Sequence, residues 1–299
     1  MSDGPDAALP RLGGPVGIDQ IFGDGRKRKR PRVLTPSERS DLAAAQQRFF
    51  AGIDLEILRE APRRHRNLVF VQCSRAYSRQ SVLSADRSFD VMLNLFDGAT
   101  LADTAALPVD IIVAQKGTKC TAISTLLKKR PELLLRYDRV LFLDDDIAMT
   151  SAEIARLFEA AEAGKMHLCQ PSLSADSHVS WRNLKQPNVG PAPVMVSAVE
   201  IMAPCLSREA LQAGAWVFGT SVSGYGTDLL LSDYLSRTQR MDSFVIGQVV
   251  AHHERKIDKT NGSFYLYLKA QNIDPLAELA LIQEQYGTEA RIWRIDPLS

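Results

Sequence analysis

The sequence predicts an α/β fold built on a mostly parallel central sheet. Three observations carry that expectation. From Asn67 onward, short apolar runs of strand length alternate with helical segments, the signature of βαβ units. Those runs lack polar alternation, as strands covered on both faces do. One of them, VLFL, runs straight into the acidic triplet Asp144-Asp145-Asp146, and open α/β sheets bind ligands where their strands end. Composition agrees. The 299 residues carry 36 Lys+Arg against 35 Asp+Glu, 45% are hydrophobic and 24% charged. That balance excludes wholesale disorder, which needs a low apolar content and a large net charge. A net charge of +1 also argues against a dedicated nucleic-acid binder, whose footprint is strongly basic.

Taken in chain order, the first element is a basic run, Arg26-Lys27-Arg28-Lys29-Arg30 with Arg32, in a stretch rich in Gly and Pro. It reads as a solvated arm, and a peripheral contact with membrane phosphates is its functional reading. Thr35-Pro36-Ser37-Glu38 is a helix start: a capping hydroxyl, proline in the first turn, then an acid. Leu42, Phe49, Phe50, Ile53 and Ile57 extend that helix over about 36–60. The expected organisation is thus a flexible basic arm over 1–66 and one domain over 67–299. Strands are expected at 68–72, 90–96, 110–114, 139–143 and 166–170. A helix fills 118–136, divided at Pro131, and another spans 151–163, with Ser151 as cap and Gly164 as stop. The segment 171–193 reads as a long polar loop around Trp181. A strand at 194–202, helices at 207–213 and 227–237, a buried strand at 244–251 and a helix at 275–286 complete the chain.

The start of the chain lacks the basic and apolar segments of a secretory signal, and no run reaches the roughly 18 apolar residues of a membrane span. A cytoplasmic protein is expected. Cys73, Cys120, Cys169 and Cys205 form no CxxC pair and are expected to be buried free thiols.

Three adjacent carboxylates at a strand end repel one another and need a compensating partner. A divalent cation, Mn²⁺ or Mg²⁺, suits them, since hard cations take carboxylate oxygens and bridge to phosphates. Asp144 and Asp146 flank one residue, so a kinked backbone can aim both at one ion. The plainer reading is a helix cap or an acidic turn. Other nucleotide chemistries fit less well: there is no GxxxxGK[ST], and no GxGxxG follows the first strand. The DxDx[TV] pattern of haloacid-dehalogenase-like phosphatases fails at Ala148.

The stretch KGTKCTAISTLLKKRPELLLRYDRVLFLDDDI resembles the GT-A class of nucleotide-sugar glycosyltransferases, whose DxD motif ends a hydrophobic strand. Four segments, VLFLDDDI, VEIMAPCLSREAL, GYGTDLLLSDYL and VVAHHER, resemble the glycosyltransferase-like family called domain of unknown function seven-zero-seven. That family's Gly-Trp-Gly is replaced here by Gly224-Tyr225-Gly226. The resemblance implies a GT-A-like fold and metal-dependent transfer of a sugar from a nucleotide-diphosphate sugar to an acceptor hydroxyl. Its metal ligands would be Asp144, Asp146 and a late histidine, aligned as His252 with His253 second. Asp145 would touch the ribose or the donor sugar. Asp228 would be the general base if configuration inverts; its plain reading is an acid at a helix N-terminus. Asp233, farther along that helix, is the weaker candidate.

Lys119, with Lys116 as alternative, would meet the diphosphate or the base. Glu200, set in an apolar string, must be paired or protonated, and would bind a sugar hydroxyl or pair with Arg182. Trp181 and Tyr225 would offer a platform to a sugar, or simply pack. Two other readings use the same residues: a non-catalytic nucleotide- or carbohydrate-binding protein, and a metal-dependent hydrolase or nucleotidyltransferase.

Overall fold

The computed structural model describes residues 32–77, 80–84, 86–98, 100, 107–186 and 188–295. The basic run at 26–30 lies outside them. The first helix, α1 (Pro36–Ala51), begins as its sequence dictates. Thr35 caps it through a reciprocal pair with Glu38, and Pro36 fills the first turn. It ends at Gly52 and does not reach residue 60. Residues Glu56–Glu60 instead form β1, an edge strand antiparallel to β4 (Ile111–Ala114). The 36–60 stretch expected in the arm is therefore packed: Leu55, Ile57 and Leu58 lie against the main core, and α1 buries Leu42, Ala45 and Phe49 in two smaller clusters.

β2 (Asn67–Cys73), β3 (Asp90–Leu95) and β5 (Arg139–Asp144) form with β4 a parallel block, and their apolar runs are buried throughout. Each fully buried Leu, Ile, Val or Phe there contributes about 1.5–3 kcal/mol. A four-residue helix, α2 (Gln80–Leu83), lies between β2 and β3. Pro131 splits the next helical segment into α3 (Lys119–Lys129) and α4 (Glu132–Leu135). After β5 come the short β6 (Ile147–Ala148) and α5 (Ser151–Ala163), whose cap is Thr150 and not Ser151. β7 (Leu168–Leu173) follows, two residues later than expected.

The presumed long loop holds a single 3-10 turn, Arg182–Leu184, before β8 (Pro193–Val196). That strand stops early. Beyond it the N–H of Val199 goes to Ser232 Oγ and that of Glu200 to Gln170 Oε1, so the chain leaves the ladder. It returns as β9 (Cys205–Ser207), followed by α6 (Arg208–Ala213) and α7 (Thr227–Tyr234). α7 widens into a π-turn over Leu235–Gln239 and so falls short of a regular helix to 237. β10 (Ser243–His253), α8 (Ser263–Ala270) and α9 (Pro275–Tyr286) end the described chain. α8 has no counterpart in the sequence reading, since its residues are apolar on nearly every face.

The strand order is β1-β4-β3-β2-β5-β9-β7-β10-β6, with β8 also on β10, making ten strands. The sheet is mixed, not mostly parallel: β9 runs antiparallel between β5 and β7, and β1, β6 and β8 are antiparallel additions. β9 matters for function. It starts where β5 ends, so the segment leading into it (200–204) is delivered to the same sheet edge as Asp144; the Asp144 N–H bonds the Met202 carbonyl at 3.1 Å. β10, parallel to β7, ends at that edge too, and a bulge between Ile246 and Val250 sets its last residues. Gly247 sits in the bulge because a Cβ there would lie 1.8 Å from the Gly190 carbonyl oxygen. Among the described residues, no helix is long and apolar enough to cross a membrane.

Candidate functional site at the ends of the strands

Asp144, Asp145 and Asp146 turn the corner from β5 into β6, and β6 pairs with the end of β10, His253 opposite Ile147. Alternation along β10 then decides which histidine meets the acids. His253 Nε2 stands 3.2 Å from Asp146 Oδ2. His252 faces the other way, with Nδ1 2.8 Å from Ser174 Oγ and 3.3 Å from Asp176 Oδ1. His253, not His252, is thus the histidine beside the acidic triplet.

His253 is fixed from three sides. Its N–H bonds Ser177 Oγ at 3.0 Å, its carbonyl accepts the His178 N–H at 3.2 Å, and Nδ1 contacts the His178 carbonyl. A carbonyl can only accept, so Nδ1 carries a proton and Nε2 is the nitrogen that faces Asp146. A neutral ring would there meet the carboxylate acceptor to acceptor, so the 3.2 Å contact calls for a proton or another cation between them. Burial opposes a proton there, yet the bonds to Asp146 and to the His178 carbonyl outweigh it, raising His253 above its ordinary value. Burial likewise pushes Asp146 up, and the His253 bond with the charges of His253 and Arg255 brings it below the usual range.

The other two aspartates have cations of their own. Lys119, on the first turn of α3 and 7% exposed, holds its ammonium 2.7 Å from Asp144 Oδ1 and 3.0 Å from the Met202 carbonyl. Lys116 is exposed and takes no such place. Arg255 Nη1 lies 3.3 Å from Asp145 Oδ1. Among the described residues, no group of three His, Cys, Asp or Glu donors is gathered for one ion. Asp146 and His253 are the imidazole and carboxylate that the strand ends bring together.

Glu200 and Asp228 close the site from the β9 side. Glu200 Oε1 accepts the Ser180 N–H at 3.3 Å, and Glu200 makes no ion pair with Arg182. Its Oε2 is buried without a hydrogen-bond partner. Burial, with the nearby Asp228 charge, pushes the Glu200 carboxyl up to about 8, so it is neutral at pH 7. Asp228 opens α7, where Gly226, at φ 81°, takes a left-handed conformation that side chains resist. Burial raises Asp228 to about 6, partly offset by the N–H groups of Leu229 and Ile201.

Trp181, half-buried beside Ser180, packs on the core. Tyr225 bonds Tyr265 through their hydroxyls at 2.8 Å, under the Lys259 ammonium 5.7 Å from its ring. Asp233 pairs with Arg237 at 2.7 Å, one turn along α7. All four cysteines are buried free thiols.

A residue outside these expectations holds the loop that leads to Asp228. Glu278, fully buried on α9, accepts the Val222 N–H at 2.7 Å, the Ser223 N–H at 2.8 Å and Ser221 Oγ at 3.0 Å. Gln46 of α1 donates to it at 2.7 Å. It clamps the loop that leads through Gly224 to Asp228. The signal was present: Glu278 is an acid between Ala277 and Ala280 on a buried helix face.

No family model matches the chain, and no curated protein matches it. Among solved structures, a mycobacterial protein aligns over 87% of this chain and 81% of its own, with 13% identity and a TM-score of 0.43. Residues 1–349 of S. aureus TarS align over 62% of this chain and 59% of their own, with 9% identity and a TM-score of 0.40.

Proposed function

We propose that the chain is a GT-A-like glycosyltransferase, moving a sugar from a nucleotide-diphosphate sugar to an acceptor hydroxyl with the help of Mn²⁺ or Mg²⁺. The observation that carries this reading is the imidazole of His253 set with Nε2 3.2 Å from Asp146 Oδ2 at the end of the strands. The donor set, one imidazole and one carboxylate, suits an ion that takes its remaining oxygens from phosphates and water. Asp146 and His253 would hold that ion, and it would neutralise charge on the departing diphosphate.

The chain's own groups take the other tasks. Lys119 keeps Asp144 in place and adds a positive charge beside the diphosphate. Asp145, tied loosely to Arg255, is the aspartate set to meet the ribose or donor sugar. Glu200, protonated, has a hydroxyl to offer a sugar oxygen from its unpartnered Oε2. Asp228, with a carboxyl near 6, accepts a proton from an attacking hydroxyl close to neutral pH, as a general base must.

Thermal unfolding with UDP or GDP, with and without Mn²⁺, tests the reading. At saturating nucleotide near a hundred times its Kd, stabilisation of about 2.7 kcal/mol is expected with the metal. Asp146→Ala and His253→Ala should each abolish the Mn²⁺-dependent part, and His252→Ala should retain it. Diphosphate binding that ignores Mn²⁺, or no binding at all, overturns the proposal.

A further inference from the structure

The parallel ladder of β7 and β10 ends with Leu173 opposite Ala251, and the Ser174 N–H still reaches the Ala251 carbonyl at 2.9 Å. Were the ladder to continue, the Ser174 carbonyl would accept the His253 N–H. It does not. The chain turns at Ser174, whose carbonyl takes the Ser177 N–H at 3.1 Å. That leaves the His253 N–H to find another acceptor, and the Ser177 hydroxyl supplies it at 3.0 Å.

Ser177 is 2% exposed, while Ala175, Asp176 and His178 are exposed and Ser174 is half-buried. Hydrophobic burial therefore does little to place this turn. Its hydrogen bonds do, and they converge on one residue. Besides the Ser177 hydroxyl, the His178 N–H donates to the His253 carbonyl at 3.2 Å, and the His178 carbonyl accepts from His253 Nδ1. Ser177 Oγ is itself held 2.8 Å from Ser174 Oγ. Two residues past the turn, the Ser180 N–H bonds Glu200 Oε1 at 3.3 Å. One short segment thus ties both the imidazole beside Asp146 and the buried carboxyl on the β9 side.

We propose that the turn over 174–178 is a holder for the His253 imidazole, and that Ser177 is its positioning residue. The Ser177 hydroxyl fixes the main chain of His253. The His178 carbonyl, next in the chain, then fixes the ring with Nε2 toward Asp146. The inference rests on the reading that Asp146 and His253 hold an ion, since outer bonds to a ligating imidazole set its direction and its tautomer. Without the hydroxyl, the His253 N–H loses its acceptor and the ring is no longer held at one angle to Asp146. The metal-free ring reports the hold by itself, so the holder and the ion can fail separately.

Two measurements on the full chain test it: Mn²⁺ titration with UDP present, read by the paramagnetic resonance of the free ion, and nitrogen NMR of the histidine-labelled, metal-free protein. Ser177→Ala should weaken Mn²⁺ binding by about ten- to a hundredfold. Ser177→Thr, which keeps the hydroxyl, should stay close to the parent. The Nδ1 proton of His253, identified as the signal absent from His253→Gln, should exchange with water at least about tenfold faster in Ser177→Ala. Where the parent binds Mn²⁺, equal affinity in Ser177→Ala overturns the proposal, as do equal losses in both variants. An unchanged exchange rate at Nδ1 overturns it as well. A parent indifferent to Mn²⁺, with the Nδ1 proton still freed in Ser177→Ala, would sink the ion and support the holder.

Discussion

At the edge where the parallel strands begin, Asp90, Asp110 and Asp138 each meet more than one donor. Asp90 accepts the Arg64 and His65 N–H groups and the Tyr137 hydroxyl, at 3.0, 3.2 and 2.9 Å. Asp110 takes Arg87, Arg64 and the Val91 N–H at 2.9, 2.6 and 2.8 Å. Asp138 collects Arg63, Arg66 and Arg208. At the opposite edge a buried carboxyl oxygen of Glu200 has no partner, and the His253 imidazole stands against the Asp146 carboxylate. Both edges gather charge in one sheet. The first saturates every acid, which is what stability asks; the second leaves valences open, which is what a ligand asks.

The largest effect expected from breaking that contrast lies at the saturated edge. Asp110→Ala would strand Arg87, whose side chain is only 4% exposed, and should lower stability by about 3–5 kcal/mol. Urea unfolding measures it. Mn²⁺-dependent nucleotide binding should persist in the fraction that stays folded; its selective loss would show that the two edges are not separate in function.

A smaller effect, opposite in sign, is expected at the open edge. Glu200 has an ordinary value of 4.5 and a folded value of about 8, so folding takes up a proton between them. Its favourable contribution is complete below the first value and is lost as pH rises through the second. Glu200→Gln should flatten that slope and raise stability on the alkaline side. Unfolding measured on either side of the window decides it, and a variant whose slope matches the parent would place Glu200 among ordinary satisfied acids.

The smallest effect tests the clamp behind the open edge. Glu278→Gln keeps the shape and removes the charge from the bonds to Val222 and Ser223, costing about 1–3 kcal/mol. Amide exchange should quicken at Val222 and Ser223 while β2 stays protected. Uniform quickening would mean that Glu278 supports the whole fold and not this loop.

Much of this was legible before any coordinates. The apolar runs at β2, β3, β4 and β5 announce buried strands, and Pro131 and Gly164 mark where helices break and stop. What escaped depends on partners distant in sequence. Residues 56–60 continue a helical pattern, and only the free edge of β4 turns them into a strand. Val199 and Glu200 look like the continuation of β8, and the side chains of Ser232 and Gln170 draw them off. The choice between His252 and His253 hangs on one residue of register along β10, set by a bulge that no short-range pattern displays. The sequence offers Lys119 to a diphosphate or a base; the folded chain pairs it with Asp144, a contact that needs α3 and β5 side by side.

The clamp by Glu278 also has a meaning in time. The aspartates at the end of β5, then Glu200, Asp228 and His253, all leave the ribosome ahead of α9. Until α9 follows, the loop at Ser221–Ser223 lacks the acceptor for its N–H groups, and Gln46 of the first helix waits for the same carboxylate. A nascent chain that has passed His253 but not yet Glu278 thus carries these residues without the tie on the loop that leads to Asp228. α9 is thus the helix that fixes the loop leading to Asp228.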